Sequence, residues 1–321
     1  MTDLSRQKRR ELPDRFKEIE GERRRLLNEA IPENTKRAYR SDWNHFVDWC
    51  QENRLEPLPS DKQTVVLYLT DIKDDFKPST IERRVTSISK IHQYAGYDSP
   101  TQNTDVRETL NAIKRVKRTK TDKKTPLLTE HIIQMCYTMG NRLIDIRDKS
   151  ILLLGFASGM RRMEISGLNV DEVKVEEKGL RVTIRRSKTD QEGKGREVGI
   201  SRGSSRQTDP VRAFNEWIAA SGIESGPLFR SLDRHGNIKS KRLKPYSINR
   251  IVKKHAERIG LDKDTVGAHS LRSGLVTQSA MNGVSMLSIM NQTGHRSESV
   301  VKEYYEPAQI FDNNASSELG L

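Results

Sequence analysis

The chain is poor in cysteine and in long apolar runs, and each shortage removes a class of protein. Only Cys50 and Cys136 occur in 321 residues, far apart and with no second pair, so neither a disulfide framework nor a cysteine-based zinc site can be built. A reducing, intracellular setting is expected. The longest apolar run, Ile151 to Ala157, falls well short of the ~20 residues that span a bilayer. The opening stretch MTDLSRQKRRELPD has no apolar core of the kind a secretory signal carries. These two absences predict an unexported, cytoplasmic protein that makes no use of a membrane. The sequence also has no internal repeat, no low-complexity block and no carboxylate cluster of the sort two-metal nucleases use.

What the chain has in excess is positive charge. Lys and Arg number 57 against 44 Asp and Glu, a formal charge of +13. Such an excess favours a polyanionic partner, a property that ribosomal proteins, nucleases and membrane-surface proteins share. The length suits two domains of roughly 100 to 200 residues each.

Residues 1–30 mix acidic and basic side chains with few apolar positions and read as a tail or solvated helix. From Asn34 the pattern changes. Tyr39, Trp43, Phe46, Val47 and Cys50 recur at the spacing of an amphipathic helix. Ser60 with Gln63, Ser79 with Glu82 and Asp105 with Glu108 resemble capping boxes, each opening a further helix. Val66, Leu69 and Ile72 mark the first of these, Ile81, Val85, Ile88 and His92 the second, and Val106, Leu110 and Ile113 the third. A helical bundle over residues 31–118 is predicted, with 119–126 as linker. The stretch KRVKRTKTDKKTP (114–126) holds seven Lys or Arg, and Lys114, Arg115, Lys117, Arg118 and Lys120 are candidate phosphate contacts.

The remaining chain, 127–321, reads as a second, mostly helical domain, with helices near 129–139 and 145–157 and several more from Pro210 onward. Between them the period shifts to two. DEVKVEE, GLRVTIRRSKTD and GREVGI predict a small three-stranded antiparallel sheet. The expected fold class is mainly α, with one small sheet in the second domain.

Four local patterns could carry chemistry: GMRRMEI (159–165), RSKTD (186–190), HSLR (269–272) and GHRSESVVKEYY (294–305). Singly each has a bland reading. Arg161 could be a surface charge, Lys188 an ordinary hairpin lysine, His269 a capped or half-buried histidine, His295 a cap, and Tyr304 or Tyr305 a packing residue. Their order is more informative. An arginine, a hairpin lysine, His-x-x-Arg, Gly-His, and a tyrosine nine residues beyond that histidine resemble the tyrosine recombinase (lambda-integrase) family, in its two-domain, Cre/Xer-like form. The resemblance spans about residues 31–321. Arg162, Tyr305 and Lys194 stand near Arg161, Tyr304 and Lys188, so the family spacing alone separates them. Thr293 replaces the leucine often found before the Gly-His pair. No additional N-terminal arm-binding domain is expected, because about thirty residues precede the first bundle.

The resemblance implies a site-specific recombinase with Arg161, Lys188, His269, Arg272, His295 and Tyr304 as catalytic residues and Glu164 in support. Two planar guanidiniums, Arg161 and Arg272, suit a phosphodiester that gains charge in its transition state. A tyrosine hydroxyl, with a pKa near ~10, needs a base or nearby cations to attack. His269 would supply that base, Lys188 a proton for the departing 5′ oxygen, and His295 a hydrogen bond to the phosphate. A 3′-phosphotyrosine conserves the energy of the broken bond, so no metal, ATP or other cofactor is expected. The partners implied are double-stranded DNA with a specific site and further copies of the chain, a tetramer on two sites that exchanges strands through a four-way junction. In this picture the two domains form a C-shaped clamp, and the segment after 305 docks on a neighbour. The alternatives are a type IB topoisomerase, a DNA-binding protein that has lost catalysis, and a basic RNA-binding scaffold.

Overall fold

The computed structural model describes residues 22, 25, 31–117, 124–185, 195–309 and 319. The chain divides into two compact units, Met1–Asp122 and Lys123–Leu321. Among the described residues no helix is long and apolar enough to cross a membrane.

The described part of the first unit has four α-helices: α1 (Glu33–Glu52), α2 (Lys62–Asp71), α3 (Pro78–Ala95) and α4 (Thr104–Lys117). Their apolar stripes meet in one core around Phe46, Tyr68, Leu69, Ile81, Ile88 and Val106, all without solvent exposure. Burying each such side chain contributes about 1.5–3 kcal/mol. The α2 stripe runs through Val65 and Tyr68 with Leu69 and Ile72, while Val66 packs only at the edge. Polar groups join the helices as well. Buried Asp42 accepts two hydrogen bonds from Arg83, at 2.7 and 2.9 Å, and Arg84 donates to the Tyr68 hydroxyl.

The helix starts differ from the capping boxes expected. The α2 cap is Asp61, whose Oδ1 accepts from the Thr64 amide at 2.7 Å. A carboxylate answers the positive end of a helix better than a hydroxyl does. Ser60 instead donates its amide to Nε2 of buried His92. Helix α3 begins at Pro78, whose fixed φ suits the first turn, so Ser79 lies inside the helix. Before α4, Asn103 Oδ1 accepts from the Asp105 amide, which puts Asp105 in the first turn.

The second unit opens on an extended stretch. Thr125 and Leu127 donate amides to the carbonyls of Thr265 and Ser270, so this end of the expected linker is tied down. There follow α5 (Thr129–Tyr137), α6 (Leu143–Ser158) and the short α7 (Arg162–Gly167). Helix α6 is apolar on nearly every side in its middle, and Ile151, Leu152 and Leu154 have no exposure, as befits a helix central to a core. Strands β1 (Val173–Glu176), β2 (Gly179–Ile184) and β3 (Arg196–Ser201) form the antiparallel sheet, ordered β1-β2-β3. Val182 faces Val173 on one side and Val198 on the other, and Ile184 faces Arg196.

After α8 (Pro210–Ser221), capped by Asp209, comes a second sheet that the sequence reading omits, formed by β4 (Arg230–Leu232) and β5 (Ile238–Arg242). These strands are three and five residues long, too short to show alternation. Their turn is built by Asp233, whose Oδ1 accepts from the amides of His235 and Asn237. Four further helices follow among the described residues: α9 (Pro245–Arg258), α10 (Ala268–Met281), α11 (Met286–Thr293) and α12 (Glu298–Ala308).

Trp217 on α8 is fully buried, and its indole donates to the Leu228 carbonyl at 2.9 Å. Trp217→Ala should destabilise the protein by about 3–5 kcal/mol, whereas Val116→Ala, at a side chain 83% exposed, should stay within about 0.5 kcal/mol. Urea midpoints measure both, and equal shifts would contradict the packing described.

Candidate active site

Arg161 stands at the N-cap of α7 in extended conformation. Its amide donates to Glu164 Oε2 at 2.9 Å, and its Nη1 donates to Oε1 at 3.0 Å. Glu164, three residues on, thus caps the helix and fixes the guanidinium together. The carboxylate is buried at 5% exposure, while Arg161 keeps 23% of its side chain open.

Arg272 lies in the second turn of α10 and is 1% exposed. Its Nη1 donates to two carbonyls, Gly159 at 2.7 Å and Thr293 at 2.5 Å. Both belong to helix ends. Gly159 is the left-handed cap of α6, with φ +61, and Thr293 is the last residue of α11, which Gly294 closes at φ +69. A side chain at Gly159 would meet Leu275 at 2.7 Å and Thr293 at 2.8 Å, so glycine is required there for space as well as for conformation. The Nη2 of Arg272 is buried and has no hydrogen-bond partner among the described residues. A buried donor left unpaired is costly, so it calls for an acceptor.

The turn after α11 carries His295. Its Nδ1 is 2.6 Å from the Thr293 hydroxyl, which also donates to the Ile289 carbonyl at 2.7 Å. Thr293 thus orients the imidazole. His269, in the first turn of α10, is exposed and lies beside Tyr304 of α12, with ring centroids 6.5 Å apart. Tyr304 and Tyr305 are both half-buried, packed on a small cluster of Val276, Ala280, Ile289 and Val301.

Arg161, His269, Arg272 and His295 are close enough to perturb one another. Desolvation, then the charges of Arg272 and Arg161, lower the His269 pKa and push His295 down to about 3. Arg272 falls to about 9 through burial and the neighbouring Arg161, which still leaves it charged at neutral pH. The result is an arginine-rich pocket with two neutral imidazoles and Glu164 as its carboxylate. It suits a phosphate: a second anion would relieve the repulsion and meet the free donor.

A further cation, Arg196 at the start of β3, joins this group through hydrogen bonds to Glu164 and to the Gln292 carbonyl. Sequence reasoning missed it because GREVGI reads as a plain strand. Lys188, and its rival Lys194, lie outside the described residues. Of the candidate linker contacts, Lys114 is paired with Glu82 at 2.6 Å, and Lys117 is bonded to the Phe76 carbonyl with Asp74 nearby. Arg115 is exposed. Arg118 and Lys120 lie outside the described residues.

The lowered histidine pKa values set a pH dependence of stability. The unfolded chain binds these protons near ~6.5, whereas the folded protein holds His295 neutral down to about 3. This contribution is fully present above the unfolded value and is lost as pH falls from there toward 3. His295→Asn should therefore flatten the decline in DNA-free stability between neutral and acid pH, measured by urea unfolding. An unchanged slope would contradict the assignment.

Comparison with known proteins identifies the family. Residues 126–309 match the model of the phage integrase family. The integrase/recombinase xerD homolog of Selenomonas ruminantium is 35% identical over 296 residues, covering 91% of this chain and 87% of that protein. Tyrosine recombinase XerD of Lacticaseibacillus casei is 22% identical over 289 residues, 87% of this chain and 89% of its own. Among solved structures, a lambda integrase dimer bound to a COC' core site aligns with a TM-score of 0.59 at 16% identity, covering 91% and 93% of the two chains. The Tn1549 transposon integrase in complex with transposon right end DNA aligns at 0.60, also at 16% identity, covering 86% and 90%. Likeness at that identity is one of fold. The family match and the Selenomonas relative carry the conclusion that this chain belongs to the phage integrase family and is a tyrosine recombinase, an enzyme of site-specific DNA cutting and rejoining.

Proposed function

We propose that this recombinase cuts each DNA strand by attack of the Tyr304 hydroxyl on a scissile phosphorus held between Arg161 and Arg272. The observation that carries the reading is Nη2 of Arg272, buried and without a partner among the described residues, in a pocket where Glu164 is already engaged by Arg161. A non-bridging phosphate oxygen supplies the missing acceptor. Developing charge on that oxygen then makes the bond stronger in the transition state than in the ground state.

In the step proposed, the Tyr304 oxygen forms a bond to phosphorus while the bond to the 5′ oxygen breaks. His269, neutral at physiological pH and beside Tyr304, takes the phenol proton. Lys188 on the β2–β3 connection gives a proton to the departing 5′ oxygen. His295, held at Nδ1 by the Thr293 hydroxyl, donates to the phosphate from Nε2 once the bound anion has raised its pKa and the ring is protonated. The 3′-phosphotyrosine is resolved by attack of a 5′ hydroxyl from the partner strand, which returns the tyrosine with no cofactor consumed. The four-helix unit is proposed as the second DNA-binding surface, reaching DNA together with the basic linker, of which Arg115 is an exposed member. We assign the protein to the cytoplasm, associated with DNA. Four copies on two sites would exchange strands in pairs through a four-way junction.

Covalent cleavage mapped on DNA flanking the gene identifies a site, and a duplex of that site nicked near the scissile phosphate traps the intermediate. The wild-type protein should form a covalent adduct, and Tyr304→Phe should bind the duplex yet form none. Tyr305→Phe should retain it. Arg272→Gln should slow adduct formation about 10²–10³-fold. An adduct that persists in Tyr304→Phe and disappears in Tyr305→Phe would overturn the assignment. Relaxation of supercoiled plasmid lacking the site, without recombination, would favour a topoisomerase.

A further inference from the structure

Arg196 lies outside every motif that marks the family in this sequence, yet it touches both halves of the pocket. It is the first residue of β3, opposite Ile184, and its side chain is 19% exposed. Nη2 donates to Glu164 Oε2 at 3.3 Å, the oxygen that also receives the Arg161 amide. Nη1 donates to the Gln292 carbonyl at 2.9 Å, one residue before the Thr293 carbonyl that holds Arg272. The Gln292 side chain adds two more ties, to the carbonyls of Ala157 at 3.0 Å and Gly199 at 2.9 Å.

The third nitrogen is the informative one. Nε of Arg196 is buried with no partner among the described residues. It lies against Gly294, where a Cβ would stand 2.8 Å from it. A buried guanidinium with an unpaired donor is costly, and an apolar side chain of similar volume commonly serves stability as well or better. Stability is therefore a poor reason for an arginine here. Geometry gives a better one, because the guanidinium holds one oxygen of Glu164 and leaves the other facing Arg161.

Resting on the function proposed above, we infer that Arg196 is a positioning residue which, through Glu164 and the 292–295 turn, sets Arg161 and the Arg272–His295 side of the pocket against one phosphate. It does not itself touch the reacting atoms. Its removal leaves Arg161 free to swing on a carboxylate that has lost a fixed orientation, and a misplacement of about 1 Å at such a site costs about 10²-fold.

The test is single-turnover cleavage of the nicked site duplex by wild type, Arg196→Ala, Arg196→Lys, Glu164→Gln and the Arg196→Ala/Glu164→Gln double variant, with duplex affinity measured in parallel. Arg196→Ala should slow cleavage about 10- to 100-fold and change affinity by less than about threefold. Arg196→Lys, which keeps the charge and can reach one of the two acceptors, should recover part of the rate. In the Glu164→Gln background the alanine substitution should cost measurably less than in wild type, since the link to Glu164 is already altered and only the tie to the 292–295 turn remains to be lost. The inference is overturned by wild-type cleavage in Arg196→Ala, by an equal cost in both backgrounds, or by a loss confined to affinity. Should the alanine variant fail to fold, the lysine variant decides: a rate no different from wild type, alone and with Glu164→Gln, also overturns it. A wild-type protein that forms no adduct through Tyr304 refutes the underlying function, a different result from any of these.

Discussion

The buried guanidinium of Arg272 is the constraint on which the catalytic unit turns. One of its nitrogens joins the end of α6, at the Gly159 carbonyl, to the end of α11, at the Thr293 carbonyl, while the side chain itself rises from α10. Three helices thus meet at a single cation. Each of the two helix ends contributes a carbonyl left free by its own helix and presents it at a left-handed glycine turn. A charge so deeply enclosed is expensive unless it is paired, and carbonyl dipoles compensate it only in part. The Nη2 of Arg272 has no partner among the described residues, which fits the anion-binding role proposed for the pocket.

The surrounding electrostatics follow from that. Glu164 is committed to Arg161 and Arg196, so the pocket keeps an excess of positive charge. The two imidazoles respond by staying neutral, His295 most of all. Neutral histidines can accept a proton or donate one hydrogen bond, and guanidiniums can do neither acid nor base chemistry at physiological pH. In the mechanism proposed, the arginines carry charge stabilisation and other side chains carry proton movement. A phosphodiester entering it would balance the cations and raise the histidine pKa values, so substrate binding itself prepares the proton transfers.

Much of the helical architecture was legible in the sequence, because long apolar stripes such as that of Phe46 and Cys50 on α1 report directly which face is buried. The three strands of the first sheet were legible for the same reason, with Val182, Ile184, Val198 and Ile200 alternating. Helix starts were less so. Ser60, Ser79 and Asp105 fit the capping pattern, but Asp61, Pro78 and Asn103 stand beside them, and only tertiary contacts such as that of Ser60 with His92 decide between neighbours. The β4–β5 pair was missed because its strands are too short for a period. The pocket was legible only as an order of residue types along the chain. Nothing in that order marks Arg196, whose importance comes from meeting Glu164 and Gln292 across long sequence separations. Nor could charge counting reveal that Lys114 and Lys117 have partners within their own unit.

The central claim is that the free donor of Arg272 awaits the phosphate that Tyr304 attacks. A crystal structure of the protein on its site duplex, with orthovanadate at the cleavage position as a mimic of the five-coordinate state, tests it most directly. The account predicts a vanadate oxygen within hydrogen-bond distance of Arg272 Nη2 and the Tyr304 oxygen bonded to the metal centre. Vanadate bound elsewhere, with that nitrogen still unpartnered, would contradict it.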